Sequence, residues 1–167
     1  MGSESASTPK DLPAVIYEDD SYVELTEVPL NLDLIHGLVK RPQAGAIVTF
    51  TGTTRDDSGG RLVTQLFYEA YVTLALRTML SIASEIKNEF SLCSIAIVHR
   101  LGNVPIGEES IMIAVSSPHR IAAWGAGEAA LERCKAAAEI WKFESSGEAD
   151  TGTWKANKDV EPSRNRS

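Results

Sequence analysis

The chain has 167 residues, 43% of them hydrophobic and 23% charged, which suits one globular domain with a sizeable core. Its formal net charge of −7 argues against general binding to nucleic acid or to anionic membranes. No apolar run reaches the ~18 residues of a membrane span, and the opening MGSESASTPK lacks the layout of a secretory signal and, with Ala6, the myristoylation pattern.

In chain order, residues 1–12 are small, polar and Ser-rich and are expected to form a disordered tail. A single domain is expected over 13–158, with a flexible tail over 159–167. SYVELTEV alternates like a half-buried strand. LNLDLIHGLVK sets Leu32, Ile35, Leu38 and Val39 on one helical face. GAIVTFTG, β-branched and bounded by Gly45 and Gly52, reads as a buried strand. TTRDDSGGR reads as a polar loop and LVTQLFYEAY as a strand. The run from Val72 to Phe90 carries Leu76, Met79, Ala83 and Ile86 at helical spacing, an amphipathic helix of about five turns. CSIAIVHRL and SIMIAVS predict two strands joined in a hairpin by the longer loop GNVPIGEE. SSPHR then opens a helix running to about Ala138, with Ser117 suited to the N-cap and Pro118 to the first turn. IWKFE reads as a strand, SSGEADTG as a turn and TWKAN as a last short strand. Helices mixed with hairpins predict the α+β class.

Both cysteines, Cys93 and Cys134, lie outside any CxxC pair, which speaks against a disulfide framework or zinc cluster. Each reads as a core residue in a reducing compartment, most simply the cytosol. His36, His99 and His119 lack metal-ligand spacing, and no GxGxxG or Walker pattern is present. Neither a metal nor a cofactor is expected. His119 and Arg120 fall at a helix start, where a cation is disfavoured unless an anion meets it, so the pair suits a phosphate cradle. An Arg pointing to solvent or pairing with a nearby Glu is the alternative. Arg55 follows a strand into a Gly-rich loop, a frequent place for ligand contacts, but Asp56 and Asp57 offer local pairing. His99 and Arg100 end a strand and suit holding a loop. Lys135 and Lys142 sit seven residues apart among alanines and a tryptophan; each could simply lay its stem over apolar surface.

The segments GAIVTFTGTTRD, LFYEAY, IVHRLGNVPIGEESIMIAVSSPHR and CKAAAEIWKFE…TGTW, in that order, resemble the large catalytic subunit family of molybdopterin synthase. The likeness covers about residues 20 to 158. It implies an α/β hammerhead fold with an additional small antiparallel β-sheet. It implies a homodimer that binds a small ubiquitin-like subunit at each end, giving a heterotetramer. The implied reaction passes sulfur from the small subunit's C-terminal thiocarboxylate to cyclic pyranopterin monophosphate, making the dithiolene of molybdopterin, a sulfurtransferase step in molybdenum cofactor biosynthesis. By resemblance the catalytic lysines fall on Lys135 and Lys142. Substrate contacts fall on His119, Arg120, Arg55, Phe143, Glu144 and Lys158 as well as on those two lysines. Glu139 stands where the family has Pro, and Phe143 where it has Lys or Arg. A cationic pocket would then bring an anionic thiocarboxylate and an anionic phosphate ester together. The alternative is a non-catalytic binding module for a ubiquitin-like tail or a phosphorylated metabolite.

Arg120 and Lys135 fall on one predicted helix, fifteen residues apart, or about 22 Å along its axis. Two side chains cannot close that span around a small substrate. The expectation is a composite site at a two-fold interface, with Lys135 and Lys142 from one chain and His119 and Arg120 from its mate. A helix broken near Gly125 and Gly127 is the competing geometry.

Overall fold

The computed structural model describes residues 12–146 and 152–157. The two tails and most of the SSGEADTG turn, together with Lys158, lie outside the described residues. Five strands form the main sheet: β1 (Ala14–Glu18), β2 (Ser21–Thr26), β3 (Ala46–Thr53), β7 (Ser94–Arg100) and β9 (Glu109–Ser117). Their spatial order is β1-β2-β7-β9-β3, and only β2 and β7 run parallel. Helices α2 (Val72–Glu89) and α3 (Arg120–Ala137) cover one face and α1 (Leu32–Val39) the other.

The central strand β7 is buried throughout, so it needs apolar side chains on both faces. Ile95 and Ile97 pack with Leu76, Met79, Ala83 and Ile86 of α2, while Ala96 and Val98 pack with Ile35 and Val39 of α1. Helix α3 presents a stripe of small residues, Ala123, Ala126, Gly127, Ala130 and Cys134, to the sheet. Small side chains let its backbone approach closely; a Cβ at Gly127 would lie 3.3 Å from Val48 Cγ1.

A second, antiparallel sheet combines β6 (Gln65–Ala70), β8 (Gly102–Pro105), β10 (Ile140–Ser145) and β11 (Thr153–Ala156) in the order β11-β10-β6-β8. The molecule is thus α+β, with a small antiparallel sheet added to a larger helix-covered one. A minimal hairpin, β4 (Asp57–Ser58) and β5 (Arg61–Leu62), projects from the polar loop after β3, turning through Gly59 and Gly60 at φ 63° and 82°.

Several local expectations are corrected. β3 is an edge strand bonded only to β9, so it is half-exposed rather than buried. The loop between β7 and β9 is itself part structured, because Gly102–Pro105 crosses to pair with β6. Ser117 is not the N-cap of α3: it still pairs with Ala46, and its carbonyl accepts from Gly45 N at 3.0 Å. The helix starts at Arg120, with His119 in the capping position and no side-chain capping bond. Cys134 is buried, but Cys93 is only half-buried. Glu139 lies beyond the end of α3, which stops at Ala137 with Ala138 extended (φ −66°, ψ 136°). β1 adds a strand that the sequence pattern did not single out; it turns into β2 through Asp19 and Asp20, at φ 48° and 55°.

Candidate active site

A cavity of about 920 Å³ opens between the inner face of the second sheet, the end of β3 and the C-terminal turn of α3. Alternation along β10 supplies its wall. Ile140, Lys142 and Glu144 point in, and Trp141 and Phe143 take the opposite face. Across the ladder, Tyr68 lies opposite Lys142 on one side and Lys155 on the other. The last turn of α3 contributes Cys134 and Lys135, the β3–β4 loop contributes Arg55, and β4 contributes Asp57. The floor is apolar, with Met79, Ile97 and Ile111.

The structure therefore brings Lys135, Lys142, Arg55 and Glu144 to one cavity from three separate stretches of chain: the end of α3, β10 and the loop after β3. His119 and Arg120 are exposed at the other end of α3 and do not line it. The helix between is continuous from Arg120 to Ala137, with Gly125 set against the Phe90 ring rather than at a break. Phe143 faces away from the cavity and packs on Trp154, ring centroids 5.3 Å apart. A Cβ at Gly152 would overlap the tip of the Phe143 ring, so any larger residue there would force the ring to move.

Charge in the wall is organised around Glu144. Its carboxylate accepts from Lys155 Nζ at 2.5 Å, and its other oxygen lies 3.6 Å from Lys142 Nζ. Burial alone would raise the Glu144 carboxyl, but the Lys155 hydrogen bond and the charge of Lys142 hold it below its usual range. The lining cations Arg55, Lys135, Lys142 and Lys155 face two carboxylates, Asp57 and Glu144, leaving a net formal charge of +2 in a chain that is −7 overall. Such a cavity attracts anions against the field of the rest of the molecule.

Three lining groups escaped the sequence reading. His99 has the place of a loop-holding residue at the end of β7, but its ring is also buried at the cavity, edge-on to Tyr68 at 4.9 Å. Its Nδ1 lies 2.8 Å from the Arg100 carbonyl, which can only accept, so Nδ1 carries the proton and Nε2 accepts from Asn157 Nδ2 at 3.3 Å. Burial drops its pKa to about 4, which leaves a neutral ring at pH 7. Lys155 and Asn157 were also missed, although alternation in TWKAN was the signal that puts both on one face. Burial pushes the Cys134 thiol up to about 12, so it stands in the cavity as a protonated, unreactive group.

Residues 25–137 match the family model described as MoaE protein. A molybdopterin synthase catalytic subunit from Sclerotinia sclerotiorum is 54% identical over 144 residues, covering 86% of this chain and 74% of that protein. Among solved structures, the chain is similar to the X-ray crystal structure of molybdopterin synthase from Staphylococcus aureus. Identity there is 34% and the TM-score 0.74, over 78% of this chain and 94% of the other. A chain from the protein–protein complex of subunits 1 and 2 of molybdopterin-converting factor from Helicobacter pylori shares the fold. It shows 21% identity and a TM-score of 0.63, over 73% and 83% of the two chains. With a family model spanning most of its described residues and a relative more than half identical to it, the chain belongs to the MoaE protein family.

Proposed function

We infer that this chain is the catalytic subunit of a molybdopterin synthase, a cytosolic sulfurtransferase of molybdenum cofactor biosynthesis. It takes sulfur from the thiocarboxylated C-terminus of a small ubiquitin-like subunit and delivers it to cyclic pyranopterin monophosphate. The observation that carries the reading is the cationic cavity with Lys135, Lys142 and Arg55 in its lining. Two anionic reactants repel each other, and a partly water-excluded site with fixed cations lowers the free energy of bringing them together.

In this reading the thiocarboxylate sulfur attacks an oxygen-bearing side-chain carbon of the pterin, forming a carbon–sulfur bond and an acyl thioester while that carbon's bond to oxygen breaks and the departing oxygen takes up a proton. Lys135 and Lys142 stabilise the developing negative charge and move protons. Water then cleaves the thioester carbonyl–sulfur bond, which leaves sulfur on the substrate and a free carboxylate on the partner. No thiol of this chain takes part, in keeping with the protonated Cys134.

Arg120 and His119 hold the substrate phosphate from a second copy of the chain. The continuous helix supports this, because fifteen residues separate Arg120 from Lys135, about 22 Å. Ile121 and Trp124, 80% and 66% exposed beside Arg120, form an apolar surface suited to burial against that copy. Two such chains with a small subunit at each end make the heterotetramer. Incubating the chain with thiocarboxylated small subunit and the cyclic precursor should yield dithiolene product. An intact complex that yields none would leave a module that binds the small-subunit tail or a phosphorylated metabolite without catalysis.

A further inference from the structure

We propose that Lys155 is a positioning residue of this site, which engages Glu144 so that the carboxylate does not cancel Lys142. The proposal rests on the cavity being the sulfur-transfer site. Lys142 and Lys155 are direct cross-strand partners on β10 and β11, and both line the cavity. Like charges directly opposite each other weaken a strand pair. Glu144, the next inward position on β10, resolves the conflict by dividing its carboxylate. One oxygen takes the Lys155 ammonium at 2.5 Å and the other lies 3.6 Å from Lys142.

The division matters because of where each group sits. The side chains of Glu144 and Lys142 are 14% and 18% exposed, that of Lys155 43%. Without Lys155, a poorly hydrated Glu144 would have Lys142 as its close cation in the wall and would close on it as a neutral pair. With Lys155, the three groups carry a net formal charge of +1, and the Lys142 ammonium keeps donors for an anionic reactant.

Lys155 is also held in place from both faces of its strand. On the outer face Trp154 packs on Phe143, with Gly152 against the same ring. On the inner face Asn157 donates to His99 Nε2. Its position is therefore built into the cavity rather than sampled by a loose surface chain. Among the described residues β11 is an edge strand that pairs only with β10, so those side-chain anchors fix where its lysine stands.

A double-mutant cycle in the assembled complex tests this. Lys155→Met should lower kcat/KM for dithiolene formation about five- to tenfold, between the effects expected for an exposed and a buried charge pair. Lys155→Arg should restore most of it, since a guanidinium also reaches the carboxylate. In a Glu144→Gln background, where no carboxylate remains to capture Lys142, Lys155→Met should cost about twofold or less. Lys155→Gln serves as a second probe should the Met variant not give a native thermal transition. An equal loss in both backgrounds, or Lys155→Met at parental activity, overturns the proposal. Should the parent complex make no product, the functional reading falls and the same variants are titrated with inorganic phosphate by calorimetry. Weaker binding on losing Lys155 only when Glu144 is present supports the positioning role; any other pattern rejects it.

Discussion

Lowering the pH from 7 to 5 should remove about 2 kcal/mol of stability through His99 alone. The ring is 2% exposed, and its Nδ1–H already serves the Arg100 carbonyl. Burial depresses its pKa from 6.5 to about 4. An unfolded chain takes up the proton as the pH falls through 6.5, whereas the folded chain resists until about 4. The unfolded state therefore binds more protons across this window, and stability that is complete above 6.5 is lost as the pH falls. The full gap is worth about 3 kcal/mol, most of it spent by pH 5. Asp20, held low by its hydrogen bond to Arg41, and Glu144 add their own losses mainly below that range. The assay is urea unfolding at pH 7, 6 and 5 and fixed protein concentration, on the parent and on His99→Gln. Glutamine can still donate to the Arg100 carbonyl and accept from Asn157 but takes up no proton. The parent should lose about 2 kcal/mol more than the variant over that range. Equal losses in both would refute the assignment of a buried neutral imidazole to this wall.

If Lys135 and Lys142 act on the reactants as proposed, Lys135→Ala and Lys142→Ala should each lower dithiolene formation by at least about a hundredfold while leaving the thermal transition within a few degrees, since both line the cavity and fill no core. Aggregation or loss of the transition would show them to be structural. Cys134→Ala should retain sulfur transfer and lose about 1–3 kcal/mol of stability from the buried position; a folded but inactive variant would mean that a thiol here takes part. Mixing inactive Arg120→Ala chains with inactive Lys135→Ala chains should restore activity, to at most about half the parental value per mixed dimer. No recovery after verified subunit exchange would rule out a shared site.

Periodic elements were legible in the sequence because their patterning is local. The Val72–Glu89 helix and the strands β2, β7, β9 and β10 follow directly from apolar spacing. Features that depend on distant partners were not. Nothing within GAIVTFTG says that it ends up at the edge of the sheet, because that follows from strand order. Ser117 has the chemistry of an N-cap, but its pairing with Ala46 keeps it in β9. The site divided in the same way. Lys135, Lys142, Arg55 and Glu144 were named through resemblance and share one cavity. His99, Lys155 and Asn157 were passed over because their significance arises from the packing of β7 against the end of β11, which no short window displays.

Two charged groups of the cavity wall, Lys142 and Glu144, stand on a six-residue strand that also has an outward face, Ile140–Ser145. Since successive side chains alternate, sliding β10 by a single position would carry Lys142 and Glu144 out to solvent and turn Trp141 and Phe143 inward. The aromatic contact of Phe143 with Trp154 and the steric intolerance at Gly152 then have a meaning beyond adhesion: they count residues. A ring set against Trp154 and Gly152 makes the slipped alignment unfavourable, and so the electrostatics of one surface are indexed by hydrophobic shape on the other. Phe143 thus works as a key on the outer face, and the strand's phase, rather than any single contact, becomes the quantity that keeps Lys142 and Glu144 in the cavity wall.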